Sequence, residues 1–321
     1  MEKIASPFWH PAHADAFLLD WDGVLAQTKL DFSPIYERFF GGKRVMLLEV
    51  MPQLAGDVRD ELDKALHDLE MSGAETATAV DGAFALVEWL EAQGKPWGVV
   101  SRNCEASIRR AAEVIGFPLP DCTMSRDVGI VKPDPAALHL AASRLGVAPS
   151  GCVVVGDFLY DLLGARRSCM RAVLVERGEV PWNDLADLAF PRLRDFVADL
   201  AEPTPRKPWE YAQLDEAWLQ QVWGLCARME ESSPLVGALI ERAAALGVGH
   251  FALPADALLT QEQWRHWHGL SAAWIGRPLA EACRHVLAER WPLVCVGEGE
   301  GDVTLPDNPD AVWSVLRELV A

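Results

Sequence analysis

Asp20 and Asp22 stand two residues apart where an apolar run ends, in the stretch FLLDWDGVLA from Phe17 to Ala26. A strand alternates its side chains, so carboxylates at i and i+2 share one face if the strand continues. At the carboxyl end of a buried parallel strand they would line the crevice where α/β sheets bind ligands. Such a pair divides two tasks: one carboxylate attacks an electrophile and the other moves a proton. Gly23, next in the chain, lets backbone amides approach an anion. The plainer reading is a β-turn, because Asp and Gly are turn formers. The weight of the motif therefore depends on what the rest of the chain supplies.

Three further segments supply it. Trp97 to Val100 is a short apolar run ending at Ser101-Arg102-Asn103. A hydroxyl there can bond an anion's oxygen, helped by the next helix N-terminus, although on its own Ser101 reads first as a simple cap of the helix starting near Glu105. Lys132 lies in RDVGIVKPDP, between apolar residues and a rigid Pro-Asp-Pro turn. A point charge fixed there suits a phosphate or the neutralisation of close carboxylates, against the usual solvated fate of lysine. Cys152 to Val155 is a continuous apolar run of the buried parallel kind, followed by Gly156-Asp157 and, four residues on, Asp161. If a helical turn follows, Asp157 and Asp161 stack on one face and repel unless a cation sits between them. Oxygen ligands and a hard divalent ion such as Mg²⁺ answer that repulsion. Asp157 as an N-cap is the plain alternative, and it leaves Asp161 unexplained.

The elements that must position these residues alternate strand with helix. Helical stripes run from Ala83 to Gln93 and from Ala136 to Leu145, and a further strand covers Ala172 to Val175. This order predicts a doubly wound parallel sheet with right-handed crossovers, its polar strand ends converging on one crevice. Between Thr28 and Val80 the pattern is helical, with one helix from Ser33 to Phe40 and another from Val58 to Met71, and nothing alternates like a strand. This segment reads as a small insertion placed to act as a lid. Lys29, Tyr36, Arg38, Lys43 and Arg44 are its candidate substrate-facing side chains.

At 321 residues the chain exceeds one core of typical size. Its net charge of −18 argues against a general nucleic-acid or anionic-membrane binder. The seven cysteines are odd in number and form no C-x-x-C pair, which fits reduced thiols and a cytoplasmic location. No apolar N-terminal run predicts a signal peptide, and no apolar stretch of about 18 residues predicts a transmembrane helix.

With these residues in view, the chain resembles the haloacid dehalogenase superfamily of aspartate-nucleophile phosphohydrolases, in its phosphoglycolate-phosphatase-like branch. DWDGVLA is similar to the first signature, VVSRN to the second, GIVKPDP to the third and VVVGDFLYD to the fourth, and the likeness spans residues 15 to about 178. The resemblance implies a Rossmann-like core with a small helical cap at about 28–80. It implies that Asp20 is the nucleophile that forms an aspartyl-phosphate, and that Asp22 is the general acid and then the base. It places Gly23, Ser101, Arg102 and Lys132 at the phosphoryl oxygens. Asp20, Asp22 through its carbonyl, Asp157 and Asp161 would hold Mg²⁺, and the substrate would be a small phosphorylated molecule. Asp22 favours phosphate over halide chemistry, because a departing halide needs no proton. Two departures stand out: Gln27-Thr28 replaces the usual acidic-serine pair, and the short gap from Asp20 to Ser101 implies a reduced cap, open to a larger phosphate.

The proline-rich joint from Glu202 to Pro208 divides the chain into residues 1–201, a linker at 202–208, and residues 209–321. The last part holds eight of the thirteen tryptophans. It reads as mainly helical, with helices at 214–229, 235–246, 261–275, 279–289 and 310–320. Strands are expected at 291–296 and 303–305, around a GEGEGD turn. Its tryptophans read first as core and second as a surface for a homo-oligomer or a protein partner. A phosphotransferase or mutase with the same intermediate, and a non-catalytic scaffold working through residues 209–321, are the rival functions.

Overall fold

Runs of four or five apolar residues with no polar face need cover on both sides, and helices supply it here. The structure, a computed structural model, describes residues 8–204, 206–230, 232–291, 294–297 and 301–320. Chain contacts divide it into two compact units, one of Ala14–Pro203 and one of the residues up to His13 with those from Thr204 on.

In the first unit six strands form one sheet: β1 Ala16–Leu19, β2 Trp97–Val100, β3 Thr123–Met124, β4 Cys152–Gly156, β5 Arg171–Val175 and β6 Leu188–Phe190. They lie in the order β3-β2-β1-β4-β5-β6 and every pairing is parallel. β1, β4 and β5 are buried along their whole length. Leu18, Val154 and Leu174 pack against Ala137, Leu138, Ala141 and Leu162 of two helices, Pro135–Leu145 and Leu159–Arg167. Phe17, next to Leu18 in the alternation, meets Trp89 edge to face at 5.9 Å. Leu19 pairs with Val99 on one side and with Val155 on the other. The chain therefore leaves three adjacent strands at nearly the same level, at Asp20, Ser101 and Asp157.

The insertion holds helices Ser33–Phe40, Leu47–Val50 and Gly56–Glu75. Ile35, Leu47, Leu62 and Leu66 form its own small core. Gly41, at φ +58°, ends the first helix in the left-handed conformation that glycine tolerates. One difference from the sequence reading is a two-residue antiparallel ribbon, Ala26–Gln27 with Thr78–Ala79, at the root of the insertion. Two-residue strands are too short to leave an alternation signal.

The second unit is mainly helical and also contains four short parallel strands, β7 Cys226–Arg228, β8 His250–Ala252, β9 Cys295–Gly297 and β10 Val303–Thr304, in the order β9-β8-β7-β10. Trp223, Trp267 and Trp291 are buried in its core, as core-forming tryptophans should be. The helix expected over 214–229 ends at Trp223 and gives way to β7, and the one expected over 261–275 stops at Arg265. Trp9 exchanges both backbone hydrogen bonds with Arg206, each at 2.8 Å, so the start of the chain belongs with this unit. Pro205 of the joint, Pro292 and Leu293 of the expected strand, and Gly299 of the GEGEGD turn lie outside the described residues.

Leu18 is fully buried at the centre of the parallel sheet. Leu18→Ala is expected to cost about 2–5 kcal/mol, read as a lower urea midpoint. A loss below about 1 kcal/mol would contradict this packing.

Candidate active site

The alternation of β1 carries past its last paired residue. Trp21 turns into the core and is fully buried, while Asp20 and Asp22 line a crevice of about 600 Å³ at the carboxyl edge of the sheet. Gly23 follows at φ +79°, and a Cβ there would overlap the Asp157 carboxylate. Any side chain at this position would push Asp157 away, so glycine is required on steric as well as backbone grounds.

Lys132 is the most buried charge of the group, with its side chain 1% exposed. Its ammonium donates to Asp20 Oδ1 at 2.8 Å and lies 2.6 Å from Asp161 Oδ1. Burial works against the cation, but Asp161 and Asp20 outweigh it and hold the Lys132 pKa above the ordinary lysine value. Asp20 is pushed well above the carboxylate range by burial and by Asp161, and Lys132 only partly restores it. One oxygen each of Asp20, Asp157 and Asp161 lie within 4.8 Å of one another, the single such acidic, histidine or cysteine group among the described residues. Three hard oxygen donors at this spacing fit a divalent ion of the Mg²⁺ type.

Asp157 is raised to about 7 by burial and by Asp161, against the opposing pull of Arg177. It does not stack on Asp161 within one helix, as the spacing predicted. The helix begins at Leu159, and Asp161 Oδ2 accepts the Phe158 N–H at 3.0 Å as part of its N-terminal cap. The capping role passed over for Asp157 therefore belongs to Asp161, which serves the helix and Lys132 together.

Asp22 is raised to about 6 by burial, although Thr28 and Asn103 each donate a hydrogen bond to its carboxylate and lower it. Ser101 is buried, and its Oγ accepts the Asn103 N–H at 3.1 Å, leaving its own proton free to donate. Arg102 also lines the crevice, but its guanidinium is held by the insertion: its two terminal nitrogens meet the Glu49 carboxylate at 2.7 and 3.0 Å. It stacks over Tyr160 at 4.4 Å and donates to the Lys132 carbonyl. Tyr36, Val45 and Leu47 of the insertion form part of the crevice wall. The other candidates on that segment, Arg38, Lys43 and Arg44, are not among the lining residues, whereas Lys29 is.

Sequence reasoning missed four contributors. Asn103 closes the second signature and Thr28 follows the first, but short polar side chains at element ends read as caps. Arg177 follows β5 with no motif around it. Its Nη2 lies 2.6 Å from Asp157 Oδ2, and its Nε donates to the Asp157 carbonyl at 2.9 Å. Buried Glu70 of the insertion accepts the Cys104 N–H at 2.8 Å and pairs with Arg126 at 3.2 Å, so it fixes the loop that carries Asn103.

Two stability measurements check this geometry. Lys132→Met leaves two buried carboxylates without their partner and should cost about 3–5 kcal/mol near neutral pH; a cost near zero would mean that the pair is not buried. The second concerns Asp157, which titrates at about 7 when folded and near 3.8 otherwise. Between those values the folded chain keeps a proton that the unfolded chain has released. The contribution is therefore full at low pH and is lost as pH rises through about 7. In EDTA, Asp157→Asn should gain melting temperature on the wild type over this rise, and a constant gap would contradict the shift.

Comparison with known proteins accords with the site. Residues 14–168 match the family model described as haloacid dehalogenase-like hydrolase. Hexitol phosphatase A of Escherichia coli (strain K12) is 31% identical over 205 residues, covering 56% of this chain and 92% of that protein. A phosphoglycolate phosphatase of Xanthomonas campestris pv. campestris is 30% identical over 206 residues, covering 63% of this chain and 87% of the relative. A solved hydrolase from Pseudomonas syringae shares the fold, with a TM-score of 0.50 at 19% identity over 59% of this chain and 99% of that one. The chain belongs to the haloacid dehalogenase-like hydrolases and sits among the phosphohydrolases of that family.

Proposed function

We propose that the chain is a Mg²⁺-dependent phosphatase that hydrolyses a small phosphate monoester through an aspartyl-phosphate on Asp20. The observation that carries this reading is the convergence of Asp20, Lys132, Asp157 and Asp161, with a second, separately held acid, Asp22, in the same crevice. Relatives named as hexitol and phosphoglycolate phosphatases support a small organic phosphate as the substrate class.

Lys132 holds Asp20 Oδ1, which leaves Oδ2 to attack phosphorus. As the Asp20–phosphorus bond forms, the ester P–O bond breaks and Asp22 gives its proton to the leaving oxygen. Asp22, now a carboxylate, then takes a proton from water. The water oxygen attacks phosphorus, the Asp20–phosphorus bond breaks, and phosphate departs with both carboxyl groups restored. A pKa of about 6 suits Asp22 to both steps near neutral pH. The bonds from Asn103 and Thr28 keep its carboxyl oriented. Ser101, the backbone at Gly23 and Lys132 would hold the phosphoryl oxygens, and Arg102, fixed by Glu49, would add its charge from the wall of the crevice. Asp20, Asp157, Asp161 and the Asp22 carbonyl would hold Mg²⁺, which when bound draws charge from the phosphoryl oxygens and keeps Asp20 ionised.

The test is release of inorganic phosphate from a generic aryl phosphate with and without Mg²⁺. Wild type should turn over only with the ion. Asp20→Asn should lose about 10³-fold or more, and Asp22→Asn about 10²–10⁴-fold. Undiminished activity in Asp20→Asn, or transfer to an added sugar in place of phosphate release, would overturn the reading.

A further inference from the structure

Among the described residues, Arg177 is the one cation of the crevice that grips the acidic cluster without being buried in it: its side chain is 44% exposed, against 10% for Asp157. It makes two contacts with the same residue, one to Oδ2 and one to the backbone carbonyl. The chain reaches this position through Glu176, a non-glycine residue at φ +57°, a region that side chains rarely adopt and that tends to mark functional positions. Glu176 is itself anchored, since it accepts the Leu193 N–H at 2.7 Å and lies 3.5 Å from Arg192. The guanidinium is thus partly open to solvent at its tip and aimed from a fixed root.

Charge balance shows what that arrangement does. Once ionised, Asp20, Asp157 and Asp161 bring three negative charges, and Lys132, deep between two of them, answers one. The remaining two match one divalent ion. With Arg177 also in place only one is left, and a guanidinium and a divalent ion sharing Asp157 repel each other at a few ångströms' separation.

We propose that Arg177 is a displaceable counter-cation of the acidic cluster, competing with a divalent ion for Asp157 and leaving it when the ion loads. The proposal rests on the metal-dependent reading above and adds a positioning residue to it. Arg177 sets the affinity of the site for its ion and shields Asp157 until the ion arrives. Its partly exposed side chain gives the guanidinium open space to move into, which Lys132 lacks.

The test uses Mn²⁺ as the probe on EDTA-treated full-length protein at low ionic strength, reading free ion by electron paramagnetic resonance with no substrate added. Arg177→Ala and Arg177→Gln should each bind Mn²⁺ about two- to fivefold more tightly than wild type, the range expected for removing a partly exposed ion pair. The gain should shrink at high salt. Arg177→Lys should stay close to wild type. Lys29→Ala, which removes a cation elsewhere in the same crevice, should change binding little. Asp157→Asn should weaken it. Unchanged or weaker binding in both neutral Arg177 variants, with Asp157→Asn impaired, would overturn this inference and leave the metal reading standing. A gain from Lys29→Ala equal to that from Arg177→Ala would also overturn it, because general charge would then explain both. Equal Mn²⁺ binding by wild type and Asp157→Asn would overturn the inference and the metal reading together.

Discussion

A buried ammonium holds together groups that would otherwise repel. Lys132 stands between Asp20 and Asp161, at 2.8 and 2.6 Å, and shares the edge of the sheet with a third carboxylate, Asp157. Ions this buried lose several kcal/mol of hydration each, and only close pairing repays it. The parallel sheet provides the means. Adjacent strands in register bring residues far apart in the chain to one level, and the helices behind them exclude the water that would weaken the attraction. The negative charge that Lys132 leaves unanswered favours a further cation beside Asp157, and Arg177 lies there. Lys132 neutralises the part of the cluster that must stay fixed, and Arg177 covers the part that must change.

The polar residues of this crevice hold the fold and one another at once. Asp161 caps a helix and pairs with Lys132. Gly23 turns the chain and leaves room for Asp157. Asn103 continues the β2 exit and steadies Asp22, while Glu70, from the insertion, steadies the loop that carries Asn103. The insertion is therefore tied to the chemistry by two carboxylates, Glu49 on Arg102 and Glu70 on Cys104 and Arg126. A movement of these helices would be felt at Asp22 as well as at the crevice mouth.

The central part of this was legible in the sequence because burial on both faces forces a recognisable run. Phe17–Leu19 and Trp97–Val100 run straight into a polar residue and Cys152–Val155 does so after one glycine, so both the strand and its candidate site residue can be read off. Arg177 was not legible, because its place depends on the left-handed turn at Glu176, which carries no glycine to announce it. Arg102 pairs with Glu49 across 53 positions of chain, and no local pattern contains that contact. In the second unit the strands are two or three residues long, shorter than any periodicity can reveal. Cys226–Arg228 was absorbed into a neighbouring helical stripe for that reason.

The central claim is that Asp20 carries the phosphoryl group between the two half-reactions. Rapid acid quench of the enzyme turning over an aryl phosphate with Mg²⁺, followed by peptide mass spectrometry, reads this directly. The account predicts a mass gain of one phosphoryl group on the peptide that holds Asp20, reversed by neutral hydroxylamine and missing in Asp20→Asn. A phosphoryl group on another residue, or full turnover with unmodified Asp20 at every quench time, would contradict it.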